Sequence, residues 1–195
     1  MKLLLYSGGL DSTALAWKFR PDIAVTIDYG QRPAAGEIRA ASALCGLMNL
    51  RHDVLKVDLA FLGIGTLVGT ETADIAAASE WWPYRNQMLI TLAGMRYVAR
   101  GLSEIMIGAV ASDVHADGKK PFLAAISSAM IAQEGGVQVS APAIDMDPLD
   151  LILGSGVPKN LLGAAFSCHV AEYPCGQCRG CEKHLTTIAA LSNRN

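Results

Sequence analysis

Short apolar runs at Leu3–Tyr6, Ile23–Ile27 and Val54–Val57 alternate with two longer stretches, Ser12–Phe19 and Ala35–Met48, whose apolar residues recur at helical spacing. The short runs read as buried strands and the longer stretches as helices that turn one face to a core. Strand, helix, strand, helix, strand predicts a parallel, doubly wound sheet, because each crossover must carry the chain back over one face. A long helix from about Arg85 to Arg100 leads into a further strand at Ile105–Ile107, and Val137–Val139 supplies a weaker last one. The predicted fold class is thus α/β, with about five parallel strands. Between Asp58 and Trp82 the chain is rich in Gly, Ala and Thr without a clear period, which reads as a flexible insertion or lid.

In such sheets ligands collect beyond the carboxyl ends of the strands, and polar clusters do follow strands here: Ser7–Ser12, Asp28–Arg32 and Ala109–Asp113. The first is the most informative. Ser7-Gly8-Gly9-Leu10-Asp11-Ser12 joins the first strand to Thr13-Ala14-Leu15, so glycines sit where the chain must turn and where a helix begins. Glycine permits close approach to a ligand, and the hydroxyls of Ser7 and Ser12 with the first free helix amides are donors for phosphate oxygens. Asp11 is expected to cap the helix. The motif is neither GxxxxGK[ST] nor GxGxxG. It resembles the SGGxDS pyrophosphate loop of the ATP pyrophosphatase group, whose members adenylate a carbonyl or carboxyl oxygen. A Ser-Gly-Gly turn can also join strand to helix with no ligand at all.

With 195 residues, 51% hydrophobic and 17% charged, the chain suffices for one well-buried α/β domain, residues 1–195, with a nucleotide-binding core at 1–140 and a C-terminal helical segment at 141–195. A formal net charge of -2 gives no general drive toward nucleic acid or an anionic membrane, so small molecules are the expected partners. Glycine-broken apolar stretches such as Leu59–Gly69 fall short of the ~20 residues that span a bilayer. No secretory leader is apparent, and a cytoplasmic location is expected.

Four of the five cysteines crowd together: Cys168, Cys175, Cys178 and Cys181, with Gly176 and Gly180 between them. Two consecutive CxxC steps and an upstream thiol can surround one structural Zn2+ tetrahedrally, leaving no open position for water or substrate. An iron–sulfur cluster needs the same thiolates. His169 and His184 lie nearby but are not needed as ligands, and Cys45, on an apolar helix face, is expected in the core.

These features occur in a fixed order with two others: Asp28-Tyr29-Gly30-Gln31-Arg32, and Pro83-Tyr84-Arg85-Asn86 ahead of a helix. Together they resemble the 7-cyano-7-deazaguanine synthase (QueC) family over nearly the whole chain. The resemblance implies an ATP-dependent ligase of the adenine-nucleotide hydrolase-like fold that converts 7-carboxy-7-deazaguanine and ammonia, through an amide, to the nitrile. It implies ATP and Mg2+ as co-substrate, zinc on the four cysteines, and a homodimer. Catalytic roles fall to Ser7, Asp11, Ser12, Arg32 and Arg85. Nucleotide contacts fall to Tyr6, Ser7, Gly8, Gly9, Leu10, Asp11, Ser12, Thr13, Gln31, Asn86 and Asp113, the last as a Mg2+ ligand, a substrate contact or merely a helix cap.

The chain also departs from the family pattern. Pro33 stands where a His is usual, the following acid is one place late at Glu37, and Tyr84 replaces the Gly of Pro-Gly-Arg-Asn. A Lys usual after the last strand falls near Pro148. The substrate-side stretch resembling Tyr-Pro-Asp-Cys-Arg is missing from Asp113–Phe122. This leaves open a QueC-like paralogue that makes an amide or a conjugate, as in bacterial defence systems, and a non-catalytic ATP-binding module. Trp81 and Trp82 could stack on a purine or pack in a core or interface. His115 could move a proton, bind a metal or lie solvated on a polar loop, and Lys119 and Lys120 could attract an anion or keep that loop soluble.

Overall fold

A computed structural model describes residues 1–193. The strands are β1 (Lys2–Leu5), β2 (Ile23–Asp28), β3 (His52–Lys56), β4 (Glu104–Met106) and β5 (Gln138–Ser140), all parallel, in the order β3-β2-β1-β4-β5. The helices are α1 (Leu10–Phe19), α2 (Ala34–Met48), α3 (Arg85–Tyr97), α4 (Lys120–Ile131), α5 (Pro148–Ser155), α6 (Lys159–Leu162) and α7 (Arg179–Ser192). The α/β class and parallel winding expected from the hydrophobic pattern are those observed.

Alternation along the strands splits the core in two. Leu4 and Ala24 pack with Ala14, Leu44, Leu151 and Leu191, so α1, α2, α5 and α7 share one face. Leu3, Ile23, Val25 and Ile105 pack with Ile90, Tyr97, Ile126 and Met130, so α3 and α4 cover the other. β1, at the centre, is buried on both sides: Leu3 and Leu4 are 0% exposed. A smaller cluster of Ala40, Phe166, Cys168 and Cys181 fastens the C-terminal arm to α2.

Differences from the expected elements have local causes. β3 begins at His52, two residues before the apolar run, because tertiary partners accept its polar side chains. His52 Nε2 lies 2.8 Å from Thr26 Oγ1, and the Tyr97 hydroxyl donates to Asp53 Oδ2 at 2.6 Å. The helix expected to reach Arg100 ends at Tyr97 and tightens into a 3-10 turn over Val98–Arg100, closed by Gly101 at φ +78°. The stretch read as a flexible lid contains only a 3-10 turn, Ala60–Leu62, as regular structure before α3. It is nonetheless tied down: Leu67 and Trp82 are 3% exposed, Thr66 N–H donates to the Ser79 carbonyl at 2.8 Å, and Arg32 N–H donates to the Leu67 carbonyl at 2.8 Å. No described helix is long and apolar enough to cross a membrane.

Candidate active site

The strand order reverses between β1 and β4, and a cleft of about 810 Å³ opens at their carboxyl ends. One wall is the loop after β1, contributing Ser7, Gly9, Leu10, Asp11 and Ser12. The turn is made by Gly8, whose φ of +74° suits glycine and whose absent side chain leaves room for the Ala41 amide, which a Cβ would approach to 2.8 Å. Thr13 donates to the Gly9 carbonyl at 2.7 Å and bonds the Tyr6 hydroxyl at 2.9 Å; Ser12 Oγ donates to the same carbonyl at 3.1 Å. Gly8 and Thr13 therefore shape the loop from behind, while Tyr6, Ser7, Gly9, Leu10, Asp11 and Ser12 face the cleft.

Asp11 does not cap α1. The helix starts at Leu10 with Gly9 in the cap position, so the carboxylate projects from the first turn instead. Its Oδ2 accepts from Lys183 Nζ at 2.8 Å, and its Oδ1 is buried without a hydrogen-bond partner. Asp113 is likewise no helix cap: its Oδ2 accepts from the Val110 amide at 3.1 Å, closing the loop after β4. Burial raises its pKa, against the Val110 amide and Lys183, and the neighbouring Asp11 adds to the rise.

The facing wall draws on distant segments. Arg85, at the start of α3, lines the cleft. Burial would lower its pKa, but Tyr29, Asp117, Glu37 and Glu80 around it raise it further, so it stays charged. Glu37 also lines the cleft, and burial raises its pKa to about 7, against the Gln31 hydrogen bond and Arg85. Both Nε2 hydrogens of Gln31 are engaged within the protein, donating to Ile27 O at 3.1 Å and to Glu37 Oε2 at 2.8 Å, and Oε1 accepts from Tyr29 N at 2.9 Å. Gln31 braces Glu37. Asn86 is similarly engaged, with N and Nδ2 donating to Asp117 Oδ2 and O at 3.0 and 2.8 Å, which fixes the turn after His115 to α3. Arg32 stands outside the cleft, exposed, with its guanidinium beside Gly69.

Glu80, only 5% exposed, is bound by Arg179 Nη1 at 2.6 Å and lies 3.6 Å from His115 Nε2. Burial pushes its pKa up, but His115, its own backbone amide, His169 and Arg179 outweigh that and hold it at about 2. His115 thus faces the cleft and is not a solvated loop residue. Trp82 packs edge-on against Tyr29 at 4.8 Å in the core, and Lys120 pairs with Asp145 at 2.6 Å away from the cleft.

Cys168, Cys175, Cys178 and Cys181 bring four sulfurs within 4.8 Å of one another, with Cys175–Cys181 and Cys168–Cys178 both at 3.9 Å. Thiolates about 2.3 Å from a tetrahedral Zn2+ stand about 3.8 Å apart, so the donor set fits a metal ion. Amides of Gln177 and Cys178 donate to Cys175 Sγ at 3.5 and 3.3 Å and lower its pKa to about 6. The histidines stand apart: His184 Nδ1 bonds Ser167 Oγ at 3.1 Å, and His169 packs on Gly180, where any Cβ would strike it and the Ser167 carbonyl. Cys45 is core, and burial raises its thiol to about 12.

Sequence reasoning missed Glu37, Glu80, Arg179 and Lys183 as cleft residues. Arg179 and Lys183 carried a signal, since both sit at the start of the helix that the cysteine motif launches. Glu80 carried none, lying in a stretch without period.

A family model described as "Queuosine biosynthesis protein QueC" matches residues 1–191. Curated proteins named 7-cyano-7-deazaguanine synthase align over most of the chain. That of Archaeoglobus fulgidus is 31% identical, covering 98% of this chain and 86% of its own. Those of Nitratiruptor sp. and Methanosarcina barkeri are 29% and 27% identical, covering 94% and 92% of this chain and 91% and 89% of their own.

Proposed function

Because the chain belongs to the QueC family, and is therefore an enzyme of the carbon–nitrogen ligase type, we propose that it adenylates 7-carboxy-7-deazaguanine and lets ammonia displace AMP, on the way to 7-cyano-7-deazaguanine. A carboxylate is a poor electrophile. Attack of its oxygen on the α-phosphate of ATP gives a mixed anhydride, with pyrophosphate as leaving group, and nitrogen can then open the anhydride. The amide oxygen is activated in the same way before the nitrile forms.

The observation that carries this reading is that the Ser7–Ser12 loop opens into the cleft at the reversal of strand order. Ser7, the Gly9 turn, Ser12 and the first amides of α1 hold the pyrophosphate. Lys183 and Arg85 supply positive charge beside it; Arg85 suits forked binding to phosphate or carboxylate. Asp11, with its unpartnered Oδ1, and Asp113 would hold the Mg2+ that accompanies ATP, which would neutralise charge on the phosphates. One Zn2+ on the four cysteines is structural, since four sulfurs leave no site for water, and it fixes the arm that carries Arg179 and Lys183. The enzyme works in the cytoplasm, where thiols stay reduced, as a homodimer for which exposed Met95 and Ile131 offer apolar surface.

The test is to mix the protein with ATP, Mg2+, ammonium and 7-carboxy-7-deazaguanine, following AMP by chromatography and the product by mass. Nitrile is the expected product. Amide alone or an adduct would point to the paralogue, a reading favoured by the altered Asp113–Phe122 stretch that supplies His115 to the cleft. No AMP above background would overturn both.

A further inference from the structure

The cleft holds an imidazole that the adenylation chemistry does not use. Both ring nitrogens of His115 are buried and lack a hydrogen-bond partner, although buried polar groups are seldom left so. The side chain is held from both directions along the chain. Asp113 ties the preceding loop to the Val110 amide, and Asn86 ties the following turn, Ala116–Gly118, to the start of α3. Nε2 faces Glu80 Oε1 at 3.6 Å, close enough for charge attraction but too long for a hydrogen bond.

We propose that His115, backed by the Glu80 carboxylate, accepts the proton that the nitrogen nucleophile must lose when it captures the activated acyl group. The assignment rests on the function proposed above. Ammonia is largely ammonium at neutral pH, and a neutral nitrogen that has attacked carries a positive charge. In the step, the C–N bond forms, the C–O bond to AMP breaks, AMP leaves with that electron pair, and one proton passes from nitrogen to the imidazole. Glu80 is a positioning residue here. Its ion pair with Arg179 at 2.6 Å keeps it a carboxylate, so the proton rests on His115 and the imidazolium gains a countercharge. The groups around this pair are Arg179 and His169 on the C-terminal arm and Arg85 on α3; the two guanidinium groups oppose a further positive charge, while burial lowers the pKa of His169 and favours its neutral ring. Glu80 is what allows that charge.

The two half-reactions can be read separately. Exchange of labelled pyrophosphate into ATP, dependent on 7-carboxy-7-deazaguanine and run without ammonia, reports adenylation; product formation with ammonium reports capture. His115→Gln is expected to lower capture about 10²–10⁴-fold more than exchange. Hydroxylamine, unprotonated at neutral pH, should narrow that gap because it needs less help from a base. Glu80→Gln should also lower capture more than exchange, and adding it to His115→Gln should cost capture little further, because Glu80 acts through the imidazole. Equal losses in exchange and capture, or no narrowing with hydroxylamine, would overturn the assignment as a purely structural effect. Absence of exchange in the unaltered protein would remove the proposed function itself, and this role with it.

Discussion

The two walls of the cleft are built on different scales of sequence. The loop after β1 is local: residues 6–13 set its shape through a positive-φ glycine and hydrogen bonds among Tyr6, Gly9, Ser12 and Thr13. The facing wall is assembled: Glu80 meets Arg179 across 99 residues, and His115 comes from a third segment. The loop stands on backbone conformation. The wall stands on whatever fixes the C-terminal arm and the 58–82 stretch, which is the cysteine cluster on one side and the packing of Leu67 and Trp82 on the other. Damage to the first should act where it is made, and damage to the second should act at a distance.

The largest effect is therefore expected from Cys178→Ser, which removes a sulfur of the proposed zinc site immediately before Arg179. A metal that shapes its own site contributes to folding directly. Elemental analysis should find well under one zinc per chain, and the thermal midpoint should fall by on the order of 10 °C. AMP formation should fall further than ATP affinity, because the loop after β1 is intact. Full turnover in a metal-free variant would show that the wall does not depend on the cluster.

Gly8→Ala attacks the other wall. Its Cβ would meet the Ala41 amide at 2.8 Å in a backbone conformation with φ +74°, and the combined cost is about 2–3 kcal/mol. Urea unfolding measures this, and isothermal titration should show ATP binding weakened while zinc content is unchanged. Loss of zinc together with ATP binding would mean that the two walls are one cooperative unit.

The same contrast explains what could be read from the sequence. The strands, their parallel order, the glycine loop and the four cysteines each depend on neighbours within a few positions, so residue type and spacing carry them. Glu80 matters because of partners brought up by the fold and has no local pattern that would single it out; His115 stood out between two aspartates, but only the fold brings Glu80 to it. Gln31 and Asn86 were identifiable as site residues only through their motifs. Their side-chain hydrogen bonds turn inward, to Glu37 and to Asp117, so they hold other groups in place. Arg32, in the same motif as Gln31, turns out toward Gly69 because the chain reverses there to start α2.

Glu37 lies on the seam between the walls, braced locally by Gln31 and faced by Arg85 from α3. Burial raises its pKa from 4.5 to about 7, so between those values the folded chain keeps a proton that the unfolded chain has released. Stability from this group is therefore lost as pH rises through that window and is level above it. Glu37→Gln keeps an acceptor for Gln31 and removes the titration. It should be more stable than the parent by about 3 kcal/mol at pH 8 and nearly equal at pH 4.5, as measured by urea unfolding. A difference independent of pH would mean that the carboxyl titrates normally.

The smallest effect separates backbone from side chain at one residue. Tyr84 precedes Arg85 and has φ 54° and ψ 26°, a left-handed conformation that costs a non-glycine residue about 1–2 kcal/mol. The residue is 78% exposed, so little packing compensates. Tyr84→Gly relieves that strain but adds freedom to the unfolded chain, which offsets about 0.5–1 kcal/mol. The net expectation is a gain of a few tenths to about 1 kcal/mol, a rise of roughly 1–3 °C in thermal midpoint, with AMP formation within about twofold of the parent. If the midpoint rises and AMP formation collapses, the tyrosine ring itself reaches the substrate, and the assembled wall extends one residue beyond Arg85.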